Sequence, residues 1–270
     1  MGGNPPEENR QGLDSRRTKE RSVAIYEVFR GVVLRQTETK EADKILTVLT
    51  AEKGKISVIA RGARRKGSRL AAVSQLLTYS EMTAYESRGW YMLSEGATLQ
   101  LFAGLRTDME RLALASYFAE LTEAVTQEGE SAEEILPLLL NALYALGELK
   151  KEPLLVKAAF ELRLLSIAGF TPMLDGCCRC GCDCGEGWLD AGEGGLVCGA
   201  CASAGFGLLP LGVGALAAAR HIVSTDPKKL YAFSVGEEEL RQLSKATEGY
   251  AMTQLERGFR TLDFYKSLLF

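Results

Sequence analysis

Seven cysteines fall between Cys177 and Cys201, and no other cysteine occurs in the chain. Two CxxC hooks stand out among them, Cys177-x-x-Cys180 and Cys198-x-x-Cys201, separated by seventeen residues. That is the spacing of a zinc ribbon or knuckle. Each hook turns two thiolates toward one tetrahedral ion, and Gly181 and Gly199 behind them leave the backbone free to turn. Four thiolates saturate Zn²⁺ and leave no position for a reacting water, so the expected site is structural and holds one ion. Its binding energy becomes folding energy for a segment with almost no core of its own. Cys178, Cys182 and Cys184 are surplus, and Cys178 or Cys182 can stand in for a member of the first hook. An iron–sulfur cluster also takes four cysteines, but two symmetric hooks favour zinc.

A second constellation is cationic. Residues 53–69 read KGKISVIARGARRKGSR, with seven Lys/Arg and no acidic residue. Clustered cations neutralise phosphates and release condensed counterions, which drives nucleic-acid binding. Residues 21–70 hold twelve Lys/Arg against five Asp/Glu, whereas residues 101–150 hold three against nine. A net charge of −3 is therefore compatible with one strongly positive face. The acidic block reads as a solvated helix surface. Tyr26, Phe29, Tyr85, Trp90 and Tyr91 offer stacking surfaces for bases wherever they face outward, and core otherwise.

No catalytic set is evident, so the expectation is that the protein is not an enzyme. The one histidine, His221, sits in an alanine-rich helix as a core or surface residue. No phosphate-binding Gly-x-x-x-x-Gly-Lys-Ser/Thr loop occurs. The acidic pairs Glu133-Glu134 and Glu237–Glu239 fall at helix starts, where the helix dipole accounts for them.

The elements that must carry these groups follow from periodicity. A polar leader, residues 1–22, reads as disordered. Residues 23–101 read as five short strands: Ala24–Arg35, Lys44–Thr50, Ile56–Arg61, Leu77–Tyr85 and Trp90–Ser94. Five strands in about eighty residues suit a small closed barrel. The break at Gly62–Leu76 is long, basic and glycine-containing. A helical period follows over 102–172 and 204–270, interrupted by the cysteine insertion at 173–203. Ser131-Ala132-Glu133-Glu134 reads as a capping box, Pro137 as delaying or kinking the helix behind it, Pro153 as a first-turn proline and Gly169 as a stop. A single helix is expected over Glu237–Phe259, and the apolar end Leu262–Phe270 should pack on the body. The fold class is α+β multidomain: an amino-terminal oligonucleotide/oligosaccharide-binding (OB) barrel, then a helical bundle with an inserted four-cysteine zinc element. The longest apolar run, around Gly205–Ala219, is broken by Pro210 and four glycines, so no membrane span is expected. With no secretory signal, a cytoplasmic protein is expected.

Gly31-Val32-Val33-Leu34-Arg35, Glu41-x-Asp43 and the block TAEKGKISVIARGARRKGSR at 50–69 resemble the amino-terminal domain of the RecO recombination-mediator family. The two hooks, Gly194-Gly195-x-Val197-Cys198 and Phe259-Arg260-Thr261-Leu262 carry the resemblance to about Leu269. The resemblance implies a protein that binds single- and double-stranded DNA and anneals complementary strands. With RecR, such a protein helps load RecA onto DNA coated with single-stranded-DNA-binding protein (SSB), in association with the nucleoid. It also implies DNA contacts at Arg35, Lys40 and Lys44 on the barrel and at Arg61, Arg64, Arg65, Lys66 and Arg69 around the following loop. The SSB carboxy-terminal tail would dock on the helical part, with Arg163, Arg220 or Arg257 meeting its carboxylate. An RNA-binding accessory factor or a protein scaffold would use the same barrel and ribbon.

Overall fold

The β-branched and aromatic stretch after Ile25 builds five strands: β1 (Tyr26–Thr39), β2 (Asp43–Thr50), β3 (Gly54–Ala60), β4 (Tyr79–Ser87) and β5 (Trp90–Gln100). They form a closed barrel in the order β1-β2-β3-β5-β4. All neighbours are antiparallel except β3 and β5, whose parallel pairing joins Val58 to Tyr91 and Ile59 to Met92. This is the five-stranded topology of oligonucleotide-binding barrels. The computed structural model describes residues 1–2, 25–202 and 207–269. Apart from residues 1 and 2, the expected leader lies outside the described residues.

The barrel interior is filled by Phe29, Val33, Leu46, Val48, Val58 and Met82. Ala63, Leu70 and Val73, from the long break after β3, close one end of it. That break is a run of turns, with Arg65 N–H on the Gly62 carbonyl and Ser68 N–H on the Arg65 carbonyl, both at 3.0 Å. The barrel wall is shared. Val32, Leu34, Leu49 and Leu77 face away from the interior and belong to the core of the helical bundle. A two-sided strand explains the unbroken buried run Gly31–Leu34.

The bundle consists of α1 (Ala103–Arg106), α2 (Met109–Val125), α3 (Ile135–Gly147), α4 (Pro153–Ile167), α6 (Val213–Ser224), α7 (Glu237–Gln254) and α8 (Arg260–Ser267). The cysteine segment adds β6 (Met173–Cys177), β7 (Gly187–Asp190), β8 (Gly195–Val197), the short α5 (Gly199–Ala202) and β9 (Leu208–Leu211). These strands form one sheet in the order β6-β8-β7-β9, and Leu174, Leu189, Leu196 and Leu211 tie it into the bundle core. No described helix is long and apolar enough to cross a membrane.

Several local expectations hold, and two need correction. Pro153 opens α4 and Gly169 ends it in the left-handed region at φ +93°. Pro137 falls in the first turn of α3, where its missing N–H costs nothing. The capping box does not form. Ser131 Oγ instead donates to the Ala51 carbonyl at 3.4 Å, beside the Ala132 N–H on the same oxygen, and α3 starts four residues later at Ile135. Residues 131–132 are thus held by the barrel rather than by the helix. The helix expected over Glu237–Phe259 ends at Gln254. Glu256 turns the chain at φ 51°, and α8 begins at Arg260. There Glu120 of α2 accepts from both the Thr261 N–H and its hydroxyl, and so caps α8.

Candidate nucleic-acid interface and metal centre

β6, β8 and the loops beside them bring the cysteines together. The sulfurs of Cys177, Cys180, Cys182 and Cys198 all lie within 4.8 Å of one another. Cys180 Sγ is 3.7 Å from Cys198 Sγ. A tetrahedron with bonds of about 2.3 Å has edges of about 3.8 Å, so the donor set fits a zinc-sized thiolate site. Three of the four expected ligands are in this group. Cys201, the fourth, faces the Cys180, Cys198 and Cys177 thiols, which push its own thiol up to about 12. Cys182 is the neighbour already foreseen as able to stand in. Cys178 and Cys184 stand apart from the group of four; burial, the largest effect on each, raises both thiols.

Backbone geometry favours thiolates at two positions. The Cys198 N–H points at Cys177 Sγ at 3.4 Å and helps lower that thiol to about 6. The Cys201 N–H lowers Cys198 in the same way. Gly181, at φ +74°, donates its N–H to the Cys177 carbonyl at 2.8 Å and closes the first hook. Arg179 inside that hook binds the Cys201 carbonyl at 3.0 Å and Asp190 at 2.7 Å, stapling the two hooks together.

The basic face has a different design. A bulge lies between Val33 and Arg35 on β1, opposite Val48 and Thr47. Strict alternation from Val33 would aim Arg35 into the barrel. The extra residue, Leu34, sends it to the surface instead. There Arg35 makes an ion pair at 3.0 Å with Glu123 of α2 and reaches Thr47 Oγ1 at 3.4 Å. Lys40 occupies the β1–β2 turn at φ 50°, exposed, 4.0 Å from Asp43. Lys44 is half-buried against Gln36 Oε1 at 2.8 Å and the Ser74 carbonyl at 3.3 Å, and that burial lowers its pKa.

The loop cations are not equivalent. Arg64 pairs with Glu38 at 2.9 Å and holds the Glu41 carbonyl at 3.3 Å. Arg61, Arg65, Lys66 and Arg69 are exposed, and their side chains have no hydrogen-bond or ion-pair partner among the described residues. Asp43 Oδ1 accepts the Gly62 N–H at 2.7 Å and so anchors the loop that presents them. Lys53 and Lys55 are spoken for, by Glu27 and Tyr91 and by the Glu123 carbonyl respectively. Of the aromatics, Phe29 is core, and Tyr26 and Trp90 are exposed. Tyr26 stands edge-on to Tyr85 at 5.5 Å.

The three arginines named for a tail carboxylate separate as well. Arg163 binds the Val223 and Thr225 carbonyls at the end of α6. Arg220 holds the Leu174, Asp175 and Cys184 carbonyls. Arg257 is exposed and lies 3.6 Å from Glu120. His221 meets the Lys229 carbonyl at 3.3 Å and packs near Phe233.

Two features escaped sequence reasoning. Glu120 and Glu123 of the acidic block meet Arg257 and Arg35, so this stretch is more than a solvated face. Within α4, Lys157 and Glu161 are buried, the lysine pairing with Glu161 and Glu248 at 3.0 Å each. The Tyr117 hydroxyl donates to Glu161 Oε1 and the Thr247 hydroxyl to Oε2, each beside the lysine. A Lys and a Glu at i and i+4 in a helix whose other polar residues are only Arg163 and Ser166 were the available signal.

Comparison with known proteins agrees with this architecture. Residues 25–102 match the family described as "Recombination protein O N terminal", and residues 106–263 match "Recombination protein O C terminal". A DNA repair protein RecO from Acetivibrio thermocellus is 35% identical over 88% of this chain and 95% of its own. One from Symbiobacterium thermophilum is 33% identical over 91% of this chain and 98% of its own. One from Anaeromyxobacter dehalogenans is 40% identical over 70% of this chain and 75% of its own.

Proposed function

The chain belongs to the recombination protein O family of DNA repair proteins, and from that premise we propose that it is a non-catalytic, DNA-binding recombination mediator. It binds single- and double-stranded DNA, anneals complementary strands and, with RecR, helps load RecA onto SSB-coated single strands. It works in the cytoplasm, on the nucleoid. One observation carries the reading: Arg61, Arg65, Lys66 and Arg69 stand exposed, their side chains unpaired among the described residues, on a loop whose apolar residues are anchored in a five-stranded barrel.

Four exposed like charges on one loop sum to a positive potential that raises the local concentration of an anion. Arg35, Lys40, Lys44 and Arg64 extend that field along the β1–β2 hairpin, each from a position already oriented by a neighbour. Cations on a barrel contact phosphates and leave base edges unread, so binding is indifferent to sequence and sensitive to salt. Two strands whose phosphates are partly neutralised repel each other less and pair faster. Exposed Tyr26 and Trp90 provide faces for unpaired bases.

Zinc at Cys177, Cys180, Cys198 and Cys201 supplies structural cross-linking when bound, keeping the β6–β9 sheet on the bundle. The division at residues 101/102 and the insertion at 173–203 belong to the same reading. So do contacts with RecR and the SSB tail.

Strand annealing tests the proposal directly. Complementary oligonucleotides are coated with the cognate SSB and mixed with or without the protein across a salt series. Acceleration that fades with salt is expected. Absence of acceleration from folded, metal-containing protein would overturn the mediator reading; preference for RNA in competition, or failure to bind any oligonucleotide, would point to the accessory-factor or scaffold alternatives.

A further inference from the structure

A groove of about 910 Å³ runs between the barrel and the bundle. Four cations line it: Arg35 and Lys55 from the barrel, Arg257 and Arg260 from the bundle side. Only two carboxylates face them, Glu120 and Glu123. Each is tied to one of the arginines, Glu123 to Arg35 at 3.0 Å and Glu120 to Arg257 at 3.6 Å. Arg260 is exposed with no partner among the described residues. The groove therefore carries a surplus of positive charge, held partly in place by the protein's own anions.

The groove is also continuous with the basic hairpin. Gln36 lines it and accepts from Lys44, and Arg64 bridges the same hairpin to the basic loop through Glu38 and the Ala42 carbonyl. From Arg35 to Thr39 the strand covers about 13 Å at its usual rise. Cations on the loop, the hairpin and the groove are thus linked through Glu38, Gln36 and the Ala42 carbonyl, and the last of them, in the groove, face the bundle.

We propose that this groove is a second phosphate-binding track, which carries a single strand from the barrel onto the bundle. Glu123 occupies Arg35 in the place of a phosphate until a strand enters, while Glu120, held by Thr261 at the start of α8, stays beside Arg257. The proposal rests on the DNA-binding reading above and adds Arg257 and Arg260, together with an internal anion that the strand must displace. A chain of phosphates suits the groove better than an acidic peptide does. A terminal carboxylate needs one cation, whereas here cations approach from both walls along its length.

Binding of the full chain to oligo(dT) across a salt series tests it. Arg257→Gln with Arg260→Ala should weaken binding and lower the salt slope by about 1.4, two contacts at about 0.7 each for a single strand. Glu123→Gln should tighten binding several-fold at low salt, a gain that no misfolding can imitate. A loop variant, Arg65→Ala with Lys66→Ala, is measured alongside. If wild type and the loop variant behave as expected while the groove variant keeps the wild-type slope and Glu123→Gln changes nothing, the groove proposal falls and the DNA-binding reading stands. If wild type shows no salt-dependent binding, both fall. A groove variant that keeps DNA but loses a synthetic acidic peptide with a free carboxy terminus would also overturn the proposal and make the groove a peptide site.

Discussion

Removing the four unpaired loop cations, by Arg61→Ala, Arg65→Ala, Lys66→Ala and Arg69→Ala together, should change DNA binding by a calculable amount. Each is exposed with no side-chain partner among the described residues, so each is available to a phosphate. At about 0.7 per contact on a single strand, four contacts contribute about 2.8 to the slope of log affinity against log salt. Variant and wild type should converge toward 1 M salt and differ roughly 600-fold at 0.1 M, one decade lower. Arg64 should behave differently, because Glu38 already holds it at 2.9 Å. Arg64→Ala strips a cation that is partly neutralised, and Glu38→Gln should strengthen binding by releasing it. Fluorescence anisotropy of a labelled oligonucleotide between 50 mM and 500 mM salt measures the slopes. Circular dichroism checks folding, which four exposed substitutions should alter by no more than about 0.5 kcal/mol each. A slope that falls by less than about 1 would refute the reasoning, since it would place the phosphates elsewhere.

Other expectations concern the metal and the buried ions. Cys177→Ser or Cys198→Ser should lose the bound ion and expose residues 173–211 to protease while the barrel stays resistant. With Co²⁺ as a probe, Cys201→Ser should weaken the thiolate charge-transfer absorption and Cys182→Ser should leave it intact; the reverse would assign Cys182 as the fourth ligand. Lys157→Met strands the buried Glu161 carboxylate and should cost about 3–5 kcal/mol, seen as a lowered melting temperature, part of which Glu161→Gln in the same chain should restore. Burial alone would raise the Glu248 carboxyl, but Lys157 and Lys266, at 3.0 and 2.7 Å, hold it below the usual carboxylate value of 4.5. Its stabilisation is therefore present above pH 4.5 and lost as pH falls through the lower folded value, and Glu248→Gln should flatten that part of the stability curve.

What the sequence determined by itself was local or periodic. The two CxxC hooks need only a short turn each, so their spacing points to a candidate metal site before any fold is known, although the sulfurs that gather are those of Cys177, Cys180, Cys182 and Cys198. Five β-rich stretches with turn residues between them define a barrel, and the basic run at 53–69 is contiguous in the chain. Pro153 and Gly169 act within one helical turn, so they mark α4 correctly. The strands of the cysteine insertion, and β9 just beyond it that completes their sheet, are three to five residues long and too short to show alternation.

Tertiary structure decided everything that depended on partners distant in sequence. Ser131 had the residues of a capping box, yet the Ala51 carbonyl, eighty residues earlier, draws its hydroxyl away. The bulge at Leu34 turns Arg35 outward, and only docking of α2 on the barrel gives it Glu123 as a neighbour. Packing of α7 on α4 likewise brings Glu248 and Thr247 to the Lys157–Glu161 pair and makes a buried charge tolerable. Among the loop cations, sequence shows equal charges, and the fold alone separates the paired Arg64 from its four unpaired neighbours. The reason is physical: charge and turn propensity belong to single residues, whereas desolvation and pairing belong to the space between elements, which exists only once the core has closed.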